Sequence, residues 1–435
     1  MCKSMRNVIF PGEDEWNELC KRPQMDQTDL DVIVRDILRQ VREEGDEALL
    51  RLSEKYDGAC FRNIKLPSSS FEKASGLVPD DLKEAIKTAS ENLRKFHSSQ
   101  IHDEAVVETT EGVKCWRKNV PIGRVGLYIP GGTAPLFSSV LMLAIPALIA
   151  GCREVILCTP PDRTGNVNPV ILYAAYSCGI TDIYRIGGAQ AVAAMAYGTQ
   201  SIPKVDKIFG PGNQYVTKAK ELVQLEGTAI DMPAGPSEVL VIADSSADPS
   251  FVAADLLSQA EHGADSQVIL VTDAPELPEA VKLEAERQAA VLPRRDKAEK
   301  SLANSLIILL KSPEECIRFS NLYAPEHLII STSEPDILAA EVINAGSVFL
   351  GKYSCESAGD YASGTNHTLP TGGWARSMGG LSVGSFMKKI TFQEISAEGI
   401  RKLGPVIERM AEEESLMGHK NAVTVRLKSL ENDGY

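Results

Sequence analysis

Apolar positions along the chain follow one rhythm at the start and another afterwards. Over the first hundred residues they recur at helical spacing: Leu30, Ile33, Ile37, Leu38 and Val41 form one stripe, and Leu82, Ile86, Ala89, Leu93 and Phe96 form another on a helix opened by Pro79. A helix with one apolar face must bury it against something, so these segments are expected to be packing elements. From about residue 120 short β-branched runs punctuated by Gly and Pro alternate with Ala- and Leu-rich helices. That alternation argues for βαβ units on a parallel sheet.

An internal echo marks the repeat. Gly126 to Pro130 reads as a strand, Gly131-Gly132 as a turn into a helix ending at Gly151, and Val155 to Thr159 as the next strand. Further on, Glu238 to Ala243 is again a strand, a polar turn follows, a helix ends near Gly263, and Val268 to Thr272 repeats the run. Two similar α/β lobes follow, although ordinary βαβ architecture also produces an echo this short. The alternation continues through Ile307 to Leu310, Leu328 to Ser331 and Ser347 to Leu350. Residues 353 to 384 are rich in Gly, Ser and Thr without periodicity, which predicts a long ordered loop of the kind that carries function. The tail from about Ser396 to His419 is expected to be helical.

Composition narrows the partners. At 435 residues, 43% apolar and 24% charged, the chain has the make-up of a soluble globular protein of two or three domains. Its net charge of −14 opposes a sequence-independent grip on nucleic acid or an anionic membrane, both of which need clustered Lys and Arg. The most apolar stretch, Val140 to Gly151, contains Pro146 and is about half the roughly 20 residues that a spanning helix needs. No apolar region follows Met1-Cys2-Lys3-Ser4-Met5, so no signal peptide is read and a cytoplasmic location is expected. The nine cysteines include no Cys-x-x-Cys pair, which fits neither a disulfide framework nor a thiolate zinc site; they read as small buried hydrophobes.

Chemistry is sought first among the six histidines. His97 and His102 read as lying at the exposed end of a helix and beyond it, without function. Gln259 and His262, three apart, share one face of a helix's last turn, where a metal could bridge them. A C-terminal His favouring the helix dipole, followed by the capping Gly263, accounts for the same residues. Glu326 and His327 place an acid beside an imidazole just before an apolar strand, a pairing suited to proton transfer near neutral pH. Gly359-Asp360 to Asn366-His367 presents a carboxylate and an imidazole on backbone that can approach a ligand closely, or an ordinary Asp turn. Glu412-Glu413-Glu414 through His419 has the look of a solvated charge run. Gln259, His262, Asp360 and His419 supply the N and O donors that Zn²⁺ accepts, but no spacing rule brings the four together. The dinucleotide fingerprint fails at Gly210-Pro211-Gly212-Asn213-Gln214-Tyr215, where Tyr stands for the third glycine, and no Walker loop exists. Gly187-Gly188-Ala189-Gln190 and Gly131-Gly132-Thr133 are further turns that could approach phosphate or simply connect strand to helix.

Taken in order, the motifs resemble those of the histidinol dehydrogenase family: Ile129-Pro130-Gly131-Gly132, Gly187 to Ala191, Gly210-Pro211-Gly212-Asn213, Ala234-Gly235-Pro236-Ser237-Glu238, Gln259 to Gly263, Ala324 to Leu328, Gly359-Asp360 with Asn366-His367, and Glu414 with His419. The series spans roughly residues 120 to 425. The resemblance implies zinc held by Gln259, His262, Asp360 and His419, and L-histidinol bound through its imidazole and amino nitrogens with Ser237, His327 and Glu414 completing the pocket and His367 nearby. It implies NAD contacts at Tyr128, Gln190 and Asn213. It also implies a homodimer in which Glu414 and His419 reach across to the other subunit, with His327 as the base of both oxidations and Glu326 activating water between them. Pattern and resemblance together give an α/β fold of two incomplete Rossmann-like lobes with parallel sheets, plus helical N- and C-terminal segments packed in the dimer. The expected division is a tail over 1–21, a main α/β domain over 22–127 and 237–381, a second lobe over 128–236 and a C-terminal helical segment over 382–435. Two departures stand out: Ser354-Cys355-Glu356 replaces the family's usual Thr-Pro-Glu, and Ser415 follows Glu414 where Gly is usual. The competing readings are a related dehydrogenase of another amino alcohol or a hydroxy sulfonate, a zinc hydrolase using Glu326, and a non-catalytic binder. Retained Glu414 and His419 argue against the sulfonate, the Gly-rich turns against the hydrolase, and intact Glu326 and His327 against the binder.

Overall fold

The computed structural model describes residues 5–22, 28–102, 104–131, 135–233 and 235–432; the expected turn at Gly132-Thr133 and Ala234 of the Ala-Gly-Pro-Ser-Glu run lie outside them. The βαβ alternation builds two parallel sheets, both in the unit made of Met1–Gln100 and Gly123–Phe386. One sheet runs, edge to edge, Asp182–Tyr184, Glu154–Cys158, Arg124–Tyr128, Lys207–Phe209 and Ala229–Ile230. The other runs Arg6–Ile9, Leu306–Leu309, Gln267–Thr272, Glu238–Ala243, His327–Ser331 and Ser347–Leu350. Its central strands are buried along their whole length, which is why the sequence shows continuous apolar runs there rather than alternation. The expected pair of α/β lobes is therefore present. Arg6–Ile9 adds an edge strand that the sequence pattern did not reveal, since only one of its residues is even partly buried.

Helices Thr28–Glu44 and Asp46–Asp57 pack their apolar faces onto helix Gly188–Tyr197 beside the five-stranded sheet. The stripe of the first differs by one position from expectation: Leu30, Val34, Ile37, Leu38 and Val41 are buried, whereas Ile33 is exposed. Helix Asp80–Ser98 packs against the almost wholly buried Phe137–Ala150. Here the sequence expectation for His97 was wrong. The buried line is Ile86, Ala89, Leu93 and His97, four residues beyond Leu93, while Phe96 turns outward. His97 Nδ1 lies 3.2 Å from Gln100 Oε1 and Nε2 lies 3.4 Å from Asn366 Nδ2, and burial lowers its pKa. It is a satisfied core histidine.

The second unit comprises Ile101–Ile122 and Met387–Tyr435. Val107–Thr110, Val113–Pro121 and Met387–Ile395 form a three-stranded antiparallel sheet that the sequence pattern did not predict. The last of these strands buries almost nothing on either face, so it carries no period-two hydrophobic signal. Trp116 stacks on Phe392 across the sheet, with ring centroids 5.5 Å apart, and Glu104 bridges Lys389 and Arg117. Ser396 caps the following helix, Ala397–Glu413, and a second helix runs over Met417–Asn432, so the predicted helical tail is interrupted at 414–416.

Candidate active site

Strand His327–Ser331 lies between Glu238–Ala243 and Ser347–Leu350, with His327 in register with Val239 and Ser347. Glu326, His327 and Glu238 thus sit at the amino edge of the six-stranded sheet. Helix Pro249–Ala260 runs back along that sheet and delivers Gln259, in its last turn, to the same edge. Gln259 Nε2 is 2.9 Å from His327 Nδ1 and donates to the Glu238 carbonyl at 3.1 Å. The Glu326 carboxylate is 3.7 Å from His327 Nδ1 and accepts the Glu238 backbone N–H at 2.8 Å. Glu238 is in turn clamped by Arg22, whose Nε and Nη2 each donate to a carboxylate oxygen at 3.0 Å while the guanidinium stacks on the Tyr323 ring at 3.7 Å. A bidentate, stacked arginine of this kind fixes geometry closely.

Asp360 approaches from the other side, with Oδ1 3.4 Å from His327 Nε2 but without the alignment of a hydrogen bond. It lies on a short helix, Glu356–Tyr361, rather than on the open glycine-flanked loop read from the sequence. His367, on the loop that follows, holds the Asp360 carbonyl through Nδ1 at 3.0 Å and meets Ser139 Oγ through Nε2 at 3.2 Å. The sequence reading missed Glu356, which appeared only within the loop variation at Cys355. It is buried, and its oxygen, one from Asp360 and a nitrogen of exposed His262 all lie within 4.8 Å of one another. No helix or strand period marks a buried carboxylate at a helix start, so no sequence signal pointed to it.

Four buried polar atoms here have no hydrogen-bond partner among the described residues: Gln259 Oε1, His327 Nε2, Glu356 Oε1 and Asp360 Oδ1. Orphaned atoms are rare in folded interiors, and two of these belong to the carboxylates of Glu356 and Asp360, which with His262 stand close enough together to hold a cation. Burial works against the charge on His327, but Glu326, Glu356 and Asp360 outweigh it and hold the imidazole well above its usual pKa. Burial raises the Glu326 carboxyl, and His327 only partly offsets that. Ser237 is half-buried immediately before strand Glu238–Ala243. Glu414 and His419 belong to the second unit, where both are exposed around the break between its two helices; they are not among the groups gathered here.

The three expected nucleotide contacts meet in a cavity of about 1330 Å³ lined by Tyr128, Gln190 and Asn213. It opens at the carboxyl ends of the five-stranded sheet, where Arg124–Tyr128 and Lys207–Phe209 adjoin and the strand order reverses, the usual ligand crevice of such sheets. Tyr128 is buried, and its hydroxyl accepts the Gly188 N–H at 3.0 Å. Asn213 caps helix Gln214–Leu225 by accepting the N–H groups of Tyr215 and Val216, which accounts for it structurally as well. Gly210 has φ 122°, and a Cβ there would run into the Tyr128 carbonyl, so the turn admits only glycine. The buried Lys220–Asp231 ion pair holds that turn from beneath: Lys220 donates to the Gly210 carbonyl and Asp231 accepts the Gly210 N–H.

A parallel α/β frame carrying a nucleotide-sized crevice and a separate buried acid–base pair defines an α/β enzyme, and the comparisons identify it as an oxidoreductase. The family model for histidinol dehydrogenase matches residues 20–427. A histidinol dehydrogenase of Bacteroides thetaiotaomicron is 57% identical over 98% of this chain and all of that protein, and one of Vibrio parahaemolyticus is 51% identical over 98% and 99%. The crystal structure of histidinol dehydrogenase from Elizabethkingia anophelis superposes with a TM-score of 0.96 at 55% identity, covering 98% of this chain and 99% of that one. The chain belongs to the histidinol dehydrogenase family, oxidoreductases of histidine biosynthesis that take histidinol to histidine with NAD.

Proposed function

We propose that this chain oxidises L-histidinol through its aldehyde to L-histidine, using zinc and NAD, as a cytoplasmic homodimer. The cluster of orphaned buried atoms at Gln259, Glu356 and Asp360, beside His262 and the Glu326–His327 pair, carries the reading. Its donor set of nitrogen and oxygen suits Zn²⁺, and the cavity is large enough for a dinucleotide. Zinc, when bound, orients the substrate's nitrogens and offsets the field of the surrounding carboxylates, while NAD accepts the electrons.

The remaining work falls to side chains. His327 takes the hydroxyl proton of the alcohol in the first oxidation and that of the hydrated aldehyde in the second. Glu326 accepts a proton from the water that adds to the aldehyde, a role suited to a carboxylate whose pKa burial has raised above its ordinary value. Ser237, Gln259, His262 and Asp360 hold substrate and metal, with Glu414 and His419 of the partner subunit completing the set. Tyr128, Gln190 and Asn213 contact NAD.

The test is NADH formation from L-histidinol by the purified protein, with histidine counted against it. About two NADH per histidine, lost on chelation and regained with zinc, is the expected outcome. No NADH from the zinc-loaded protein refutes histidinol as the substrate.

A further inference from the structure

Asp57 lines the nucleotide cavity, yet neither sequence motif nor catalytic argument uses it. It is the last residue of helix Asp46–Asp57, ahead of the left-handed cap Gly58, so its carboxylate sits at the negative end of the helix dipole. The residue is half-buried, and its Oδ2 is shut off from solvent with no hydrogen-bond partner among the described residues. Burial pushes its carboxyl up to about 6, and Tyr128, whose phenol is raised by burial and further by the Asp57 charge, lines the same cavity. No hydrogen bond among the described residues reaches that oxygen of Asp57, and unexplained buried polar atoms point to a ligand.

The strand order gives an independent reason. In dinucleotide-binding sheets an acid beyond the strand next to the first binds the adenosine ribose through its hydroxyls. Here that strand, Glu154–Cys158, runs into Thr159, Pro160 and Pro161. The next acid, Asp162, spends its Oδ1 on the N–H groups of Thr164 and Asn166 and on the Thr164 hydroxyl. Of the two acids lining the cavity, only Asp57 has an oxygen that is both shut off from solvent and without a partner among the described residues, whereas the loop of Asp162 already occupies one of its two oxygens. A vicinal diol offers two donors to the two oxygens of one carboxylate.

We infer that Asp57, from a helix outside the strand–turn–helix repeat, accepts the 2′- and 3′-hydroxyls of the adenosine ribose of NAD and excludes a 2′-phosphate by like charge. This rests on the cavity being the NAD site. Lys55 and Arg163 line the same cavity, so neutralising Asp57 leaves cations able to receive a 2′-phosphate.

Fluorescence titration of the full-length protein with NADH and with NADPH tests it, using Asp57→Asn, Asp57→Ala and Gln190→Ala. Asp57→Ala weakens NADH by about 10- to 100-fold, the range for losing hydrogen bonds to a charged group, and narrows the NADH over NADPH preference. Asp57→Asn, which keeps the shape, narrows the preference too, and in turnover KM for NAD rises more than kcat falls. If Gln190→Ala weakens NADH while both Asp57 variants keep wild-type affinity and preference, the assignment of Asp57 is overturned and the cavity stands. If none of the three weakens NADH, the NAD reading of the cavity falls with it.

Discussion

His327 is held by neighbours that each restrict a different freedom: Gln259 fixes the Nδ1 side, Asp360 faces Nε2, and Glu326 sets the local charge. Because Glu326 reaches only the Nδ1 side and is itself anchored to the Glu238 N–H, the two groups can hold separate jobs. His327→Asn is expected to abolish both oxidations, whereas Glu326→Gln mainly impairs oxidation of the aldehyde; single-turnover assays started from the alcohol and from the aldehyde compare them, and equal loss of both steps in Glu326→Gln contradicts the division. Asp57 yields a pH prediction. Its folded pKa of about 6 lies above the ordinary 3.8, so its cost to stability is absent below the lower value and complete above the higher. Asp57→Asn should therefore be more stable than wild type by about 1–2 kcal/mol at pH 7.5, after allowance for its partial exposure, with the gap shrinking as pH falls toward 4. Urea unfolding across that range measures it; a gap that widens in acid contradicts the sign.

Both departures from the family pattern find an explanation at the level of elements. Cys355 precedes helix Glu356–Tyr361 with φ −73°, the angle that proline imposes, so the element keeps its geometry without the ring. Ser415 has φ 58°, the left-handed region, where glycine avoids the Cβ penalty. Ser415→Gly should stabilise the break between the two C-terminal helices by about 0.5–1 kcal/mol, net of the greater freedom glycine gives the unfolded chain. Thermal unfolding of the full-length protein checks this, and a lowered midpoint contradicts it. Elements were legible in the sequence where burial was one-sided or complete, as at Glu238–Ala243 and Ser347–Leu350, whose bounds match the apolar runs. They were illegible where burial was slight, as at Arg6–Ile9 and Met387–Ile395, because backbone pairing rather than apolar periodicity makes those strands.

For the whole molecule, the proposed dimer has a direct test. If Glu414 and His419 serve the partner's site, inactive His327→Asn and His419→Asn proteins should complement one another. After unfolding and random re-association half the dimers are mixed and carry one intact site, giving about a quarter of wild-type activity. Activity no higher than that of either parent places both residues in their own subunit's site. Among the described residues no helix is long and apolar enough to cross a membrane.

Local pattern and motif order determined much of this protein: the α/β class, the paired lobes, Glu326–His327 as neighbouring groups, and the glycine turns beneath the nucleotide cavity. These are short-range properties, set by periodicity, turn chemistry and adjacency along the chain. Tertiary structure alone decided that His97 is core, that Glu356 joins His262 and Asp360, and that Asp57 faces a cavity more than a hundred residues of sequence away from Gln190. Burial and the meeting of distant side chains depend on how sheets and helices stack, and no local period records that.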